Sequence, residues 1–288
     1  MIARAAPDRL ITYALFGTEP FYRRHLPALV RAHHTLFPEW QLRIMHDDSL
    51  EAGEYGAALR AMDRQGLLRL ERVSAELPPL TLGMLWRMKP CWEPGVRFNL
   101  CRDVDSLPTP RERRAVETFI RSGAAVHCIN DHPLHTSAMM GGLVGFRAAE
   151  FVRVSGLTCF DDLVALGGGG GCERWRTKGY DQTVLCEHVW PRVCGAACVH
   201  RLRTPRSWPT SEPVAAMHRV IDAGGGGAAE CELARKADRL APFIGADGYD
   251  VEPAVTFYSE VIAPELLERI RACEAPAPAL HDRVARSA

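Results

Sequence analysis

The chain has 288 residues, 47% of them hydrophobic, with 35 Lys and Arg against 35 Asp and Glu. This length and apolar content allow one large α/β domain or two small ones, with a substantial buried core. Because the basic and acidic residues balance, no net charge attracts nucleic acid or an anionic membrane surface, and we expect neither as a partner.

The distribution of apolar residues and cysteines predicts the compartment. No apolar run approaches the length of a membrane span, and residues 1–10 lack the apolar core of a secretory signal. The 10 cysteines are scattered, contain no Cys-x-x-Cys pair and mostly lie in apolar runs, which is typical of buried, reduced thiols. We therefore expect a cytoplasmic protein without a membrane span.

Strand and helix patterns alternate along the first part of the chain. The apolar run over 10–16, which ends at Gly17, is typical of a buried strand of a parallel sheet. Apolar spacing and the positions of Pro and Gly then predict helices over 21–36, 55–65, 80–92 and 110–122, and strands over 41–46, 68–73 and 96–101. This alternation is typical of βαβ units and predicts a mostly parallel sheet with helices on both faces.

The pattern continues with strands over 125–129 and 196–200, a glycine-containing strand over 139–146 and a helix over 180–190. We predict one α/β domain over 1–205 and an irregular or helical extension over 206–274 that packs on it. The Ala- and Pro-rich residues 275–288 predict a disordered tail.

Two carboxylates stand one residue apart directly after the strand predicted over 96–101. In an open α/β sheet, ligands bind at the carboxyl ends of the strands, and Asp103 and Asp105 follow such an end. Hard oxygen ligands with no thiolate or imidazole beside them suit Mg²⁺ or Mn²⁺, which share their coordination with substrate phosphates. The tripeptide taken alone also fits a solvated acidic turn.

Several motifs in a fixed order resemble bacterial and algal glycosyltransferases of the GT-A fold, over roughly residues 10 to 200. Six motifs of the family have counterparts in this chain. The motif W-R-F is matched by Trp86-Arg87, R-D-x-D-S-R by Arg102-Asp103-Val104-Asp105-Ser106, and R-E by Arg111-Glu112. Further along, R-D-H-P-x-H is matched by Asp131-His132-Pro133 with His135, G-G-x-x-G by Gly141-Gly142 with Gly145, and D-Q-x-x-L…W-P by Tyr180-Asp181-Gln182 with Trp190-Pro191. A wider resemblance is to glycosyltransferase family eight, which combines D-x-D with a downstream D-Q helix and a late metal-binding histidine. The chain departs from the pattern at Met88, Leu107, Asn130 and Arg201.

The resemblance implies a GT-A fold and a metal-dependent transfer of sugar from a UDP- or GDP-sugar to an acceptor hydroxyl. The acceptor, whether glycan, small molecule or protein, stays open. Asp103 and Asp105 would bind Mn²⁺ or Mg²⁺, with Asp103 also able to contact the ribose. His200 would be a third ligand, and a structural histidine is the alternative that we favour.

The donor nucleotide is expected at residues that end predicted strands or precede the acidic loop. Phe16 and Gly17 end the first strand, where a base would lie against the backbone, although Gly17 also fits a plain turn. Arg87 and Arg102 would bind phosphate through the guanidinium group. An internal ion pair of Arg102, which is adjacent to Asp103, is the alternative for that residue.

The remaining candidates surround the sugar and the acceptor. Asp131 and His132 would shape the donor-sugar pocket, and Gly141 and Gly142 would let a sugar or an acceptor approach the backbone. Asp181, followed by Gln182, is the candidate for the carboxylate that takes the proton of the acceptor hydroxyl. The alternative for Asp181 is an N-cap of the helix predicted over 180–190.

Two other functions fit parts of the sequence. A nucleotidyltransferase shares the α/β class and metal-binding carboxylates, but it needs a glycine-rich, basic loop after the first strand, and Gly17-Thr18-Glu19-Pro20 is neither. A non-catalytic nucleotide-sugar-binding module would tolerate the departures at Leu107, Asn130 and Arg201. Neither alternative accounts for as many of the motifs as a glycosyltransferase does.

Overall fold

A computed structural model of the chain describes residues 8–18, 26–51, 54–104, 108, 110–130 and 137–201. Within these ranges one mixed sheet has seven strands in the order β3-β2-β1-β4-β6-β5-β7. The strands are β1 (Arg9–Leu15), β2 (Gln41–His46), β3 (Arg69–Arg72), β4 (Phe98–Arg102), β5 (Val126–Asn130), β6 (Leu143–Arg147) and β7 (Ala197–Arg201). Strand β6 is antiparallel to both of its neighbours, and every other pair in this sheet is parallel.

Helices pack on both faces of the sheet. They are α1 (Leu26–Leu36), α2 (Glu54–Arg64), α3 (Leu80–Leu85), α4 (Pro110–Ser122), α5 (Ala148–Ser155), α6 (Phe160–Leu166), α7 (Tyr180–Val184) and α8 (Trp190–Val193). One buried cluster joins α1, α2 and α4 to the sheet face that carries Phe98 and Leu100 of β4. A second cluster joins α5, α7 and α8 to the opposite face, which carries Cys101. Alternate side chains of one strand therefore enter two separate cores.

The predicted fold class is confirmed, since the sheet is mixed, mostly parallel and covered by helices on both faces. This sheet fits the GT-A fold that the resemblance implies. No helix in the described ranges has the length and apolar character needed to cross a membrane. The predicted extension over 206–274 and the tail over 275–288 lie outside the described residues.

Several predicted elements differ in detail. The helix predicted over 80–92 is α-helical only to Leu85 and continues as a 3₁₀ helix over Trp86–Trp92, which contains Pro90. Proline lacks an N–H and disfavours α-helical backbone in the residue before it, so a continuous α-helix cannot run through this segment. The helix predicted over 180–190 is α-helical to Val184 and π-helical over Leu185–Val189.

The glycine-containing strand predicted over 139–146 begins only at Leu143. Gly141 and Gly142 lie in the preceding turn, which is closed by a 2.7 Å hydrogen bond from the Leu143 N–H to the carbonyl of Met140. Helices α5 and α6, which were not predicted, occupy residues between this strand and the glycine-rich loop over 167–171.

Candidate functional site

The carboxyl ends of three parallel strands meet at one edge of the sheet. Leu15 of β1 lies opposite His46 of β2, and Tyr13 of β1 lies opposite Arg102 of β4. The residues that follow these strands therefore share the edge at which ligands bind in α/β sheets. Phe16, Gly17, Asp47 and Asp103 are among them.

Asp103 follows β4 directly and forms an ion pair with Arg87 of the 3₁₀ helix. The Asp103 side chain is 27% exposed, whereas that of Arg87 is only 4% exposed. Burial alone would lower the pKa of the Arg87 guanidinium, but negative charge nearby, first that of Asp103 and then that of Asp181, raises it overall. The result is a permanently charged guanidinium beneath a carboxylate that is partly open to solvent.

The two glycines of the G-G-x-x-G motif lie against this ion pair. A Cβ atom at Gly142 would come within 2.7 Å of Oδ1 of Asp103 and closer still to its other carboxylate atoms. A Cβ atom at Gly141 would lie 2.8 Å from Nη2 of Arg87 and 3.2 Å from Oδ2 of Asp181. The structure thus places side chains of this chain against both glycines, while the approach of a sugar or an acceptor stays a prediction.

Asp181 lies in the first turn of α7, close to Arg87 and Asp103. The capping alternative is wrong, because Gly179, with φ of 82°, is the N-cap residue and no side chain caps this helix. The Asp181 side chain is buried, and burial, reinforced by the charge of Asp103, raises the pKa of its carboxyl, while Arg87 lowers it. A buried carboxyl whose pKa is raised beside a cation is a candidate proton acceptor.

Gln182 connects α7 to the end of β5. Its Oε1 accepts a 2.9 Å hydrogen bond from Oγ of Ser137, and the carbonyl of Ser137 accepts a 2.7 Å bond from Nδ2 of Asn130. Asn130 is one of the departures from the resembled pattern, and here it is a buried structural amide. The predicted site residues Asp105, Asp131 and His132 lie outside the described residues.

Arg102 forms an internal ion pair, but its partner is Glu112 of α4 and not Asp103. Its Nε lies 2.5 Å from Oε1 of Glu112, and its Nη1 donates to the carbonyls of Cys101 and Val144 at 2.7 and 2.8 Å. The guanidinium is buried, so these contacts compensate the cost of removing its charge from water. Of the two alternatives for Arg102, the structure thus contains the internal ion pair, and phosphate binding stays a prediction.

His200 is fully buried in β7 beside a second histidine. Its Nδ1 lies 3.0 Å from Nε2 of His127, and the His127 ring stacks on the Phe119 ring with the two ring centroids 4.9 Å apart. These contacts lie on the α4 side of the sheet, whereas Arg87 bonds to Cys101, which enters the core of the opposite face. A metal-ligand role of His200 stays a prediction, and its surroundings favour the structural alternative. In the described ranges, no three His, Cys, Asp or Glu side chains form a metal site.

Phe16 and Gly17 lie at the end of β1, as predicted from the sequence. The Phe16 ring packs edge to face on Trp86 with the ring centroids 5.8 Å apart. The carbonyl of Gly17 lies 2.9 Å from Oγ of Ser49, which is also 2.5 Å from Oδ1 of Asp47. Sequence analysis missed Asp47, a buried carboxylate after β2. The same signal was available for it as for Asp103, namely an acidic residue directly after an apolar strand.

No protein-family model matches the chain, and no curated protein sequence matches it. Among solved structures, the chain is similar to Staphylococcus aureus TarS 1-349 in complex with UDP, with 13% identity over 82% of this chain and 70% of that chain and a TM-score of 0.43. It is also similar to the mannosyltransferase PcManGT from Pyrobaculum calidifontis in complex with GDP-Man and Mn²⁺, with 12% identity over 98% of this chain and 76% of that chain and a TM-score of 0.42. At this level of similarity, a function has to come from the residues of the chain itself.

Proposed function

We propose that the chain is a glycosyltransferase that moves a sugar from a UDP- or GDP-sugar to an acceptor hydroxyl. The observation that carries the proposal is the convergence of Asp103, Arg87 and Asp181 at the ligand-binding edge of a mixed α/β sheet. These residues come from three separate motifs of the sequence that together resemble one family of enzymes. The acceptor is a glycan, a small molecule or a protein.

The donor diphosphate would lie over Asp103. Its partly exposed carboxylate offers a hard oxygen ligand at the sheet edge, so with Asp105 it would hold Mn²⁺ or Mg²⁺. Such a cation, when bound, would offset negative charge on the nucleoside diphosphate. Phe16 and Gly17 would contact the base, Arg102 would contribute positive charge near the phosphates, and Asp131 and His132 would shape the sugar pocket.

The acceptor would lie on the Asp181 side of Gly141 and Gly142. As the hydroxyl oxygen attacks the anomeric carbon, Asp181 would take its proton, and the bond from that carbon to the diphosphate oxygen would break with its electron pair leaving on the diphosphate. A buried carboxylate with a raised pKa is a stronger proton acceptor than a solvated one. The positive charge of Arg87 lowers the pKa of the Asp181 carboxyl and so opposes its permanent protonation. Gln182, held by Ser137, would line the same side of the pocket.

Release of nucleoside diphosphate tests the proposal. The purified chain is incubated with a panel of UDP- and GDP-sugars, with Mn²⁺ or with EDTA, and the released UDP or GDP is measured. We expect release from at least one donor, dependent on the metal and abolished by Asp103→Asn. A chain that binds donors but releases no diphosphate, with any of a range of acceptor hydroxyls, would contradict the catalytic function and leave a binding module.

A further inference from the structure

The backbone carbonyl of Arg87 lacks the partner that its helix would normally supply. In a 3₁₀ helix, the N–H of residue i+3 donates to the carbonyl of residue i. For Arg87 the donor would be residue 90, and Pro90 has no N–H. The sequence of this helix therefore leaves the Arg87 carbonyl available to side chains from the sheet.

Three buried side chains converge on that carbonyl. Oγ1 of Thr12 lies 2.7 Å from it, Nδ2 of Asn99 lies 2.9 Å from it and Sγ of Cys101 lies 3.2 Å from it. All three side chains are fully buried, and they come from the adjacent strands β1 and β4. The backbone of Arg87 is therefore fixed to the interior of the sheet by groups that have no contact with solvent.

The other end of Arg87 faces the two carboxylates of the candidate site. Its Nη1 pairs with Oδ1 of Asp103 and lies 3.3 Å from the carbonyl of Arg102. A Cβ atom added at Gly141 would lie 2.8 Å from Nη2 of Arg87 and 3.2 Å from Oδ2 of Asp181. Arg87 thus pairs directly with the carboxylate on the donor side, and its charge acts on the nearby carboxylate on the acceptor side without a direct ion pair.

We infer that Arg87 is a positioning residue that fixes the Asp103 carboxylate at the sheet edge, and that Thr12, Asn99 and Cys101 hold it through its backbone carbonyl. The role of the Asp103 carboxylate in this inference rests on the proposed function, whereas its connection to the sheet through Arg87 does not. A guanidinium whose backbone is fixed to the sheet holds the paired Asp103 carboxylate in one arrangement, and groups behind a metal ligand typically change affinity or activity 10–100-fold when removed.

A double-mutant cycle tests the connection without any ligand. Denaturant unfolding is measured for Thr12→Val, Asp103→Asn and the double variant, and Thr12→Ser, which keeps the hydroxyl, replaces Thr12→Val in a second cycle. If Thr12 acts on Asp103 through Arg87, Asp103→Asn changes the free energy of unfolding by different amounts in the Thr12→Val protein and in wild type. In the Thr12→Ser protein, Asp103→Asn should change the free energy of unfolding by the same amount as in wild type. Asn99→Leu gives a third cycle, and additive effects in every cycle would overturn the inference.

Nucleotide binding provides the second readout. Titration of UDP and GDP in the presence of Mn²⁺ should show an affinity about tenfold weaker in Asn99→Leu than in wild type. His33→Leu is the matched control, because His33 is also fully buried and its Nε2 lies 2.9 Å from the carbonyl of Trp40, remote from the site. That variant should lose stability and keep wild-type affinity.

The two readouts separate failure of the inference from failure of the proposed function. If wild-type protein binds neither nucleotide while the cycles are non-additive, the proposed function fails and the connection through Arg87 stands. If wild-type protein binds and Asn99→Leu binds equally well, the three side chains stabilise the fold only, and the inference is overturned.

Discussion

Replacing Gly142 with alanine would place a methyl carbon against the carboxylate of Asp103. The added Cβ would lie within 3.0 Å of all three terminal atoms of that side chain, and the farthest of them, Oδ1, would be 2.7 Å away. Side-chain carbons do not approach oxygen this closely, so the carboxylate has to rotate away. Because the same carboxylate pairs with Arg87, we expect the substitution to act on the position of Asp103 and not only on local packing.

The size of the effect follows from the displacement. Moving the carboxylate from overlap to van der Waals contact requires a shift on the order of 1 Å, and a misplacement of about that size costs on the order of a hundredfold in rate. We therefore expect Gly142→Ala to lower donor turnover about a hundredfold and to weaken Mn²⁺-dependent nucleotide binding. The fold should persist, because the displaced atoms end a side chain that is partly exposed.

The assay compares diphosphate release and Mn²⁺–nucleotide affinity in Gly142→Ala and Gly195→Ala. Gly195 is a suitable control because a Cβ atom there would have no atom within 4 Å. Wild-type turnover and affinity in Gly142→Ala would refute the assignment of Asp103 to the donor site. An equal loss in both variants would show that the assay reports general destabilisation.

Three further predictions concern two carboxylates and one buried histidine. Asp181→Asn should lower turnover about a hundredfold or more while the donor dissociation constant stays near that of wild type, which single-turnover kinetics and titration can check. Asp105→Asn should abolish the thermal stabilisation that UDP or GDP produces in the presence of Mn²⁺. In wild type this stabilisation is about 2.7 kcal/mol at a ligand concentration of a hundred times the dissociation constant. Equal shifts of the wild-type melting temperature with and without EDTA would contradict the metal assignment. Burial lowers the pKa of His33 to about 4, so the folded state binds fewer protons than the unfolded state and loses stability as the pH falls from 6.5 to about 4. His33→Leu should flatten that part of the acid-unfolding curve, and an unchanged curve would contradict this origin.

The elements that sequence analysis located best are those with a signal at both ends. Strand β2 (Gln41–His46) and helix α4 (Pro110–Ser122) have the predicted bounds, and α4 begins with proline and is followed by glycine at 123, where φ is 74°. Helix α5 was missed although comparable signals were present. Its first turn contains Glu150, and Gly156 in the left-handed conformation ends it.

The candidate site was only partly predictable, because its contacts are tertiary. Asp103, Asp181 and the two glycines were selected individually, from their motifs and their places at the ends of elements. That Gly142 accommodates Asp103, and that Arg102 pairs with Glu112 of the next helix, depends on the register of β4 against β6 and on the position of α4. No spacing within a single segment specifies these contacts.

Pro90 shows how a local signal can have a distant consequence. Within the predicted helix it is a helix breaker, and in the structure it converts that segment to a 3₁₀ helix and leaves the Arg87 carbonyl without its usual donor. A buried carbonyl without a donor is costly, so the neighbouring strands must supply one. Thr12 and Asn99, polar residues inside otherwise apolar strands, do so. The polar positions of β1 and β4 are therefore explained by a proline in a different element, and the side chains at these positions contact the same residue, Arg87, that pairs with Asp103.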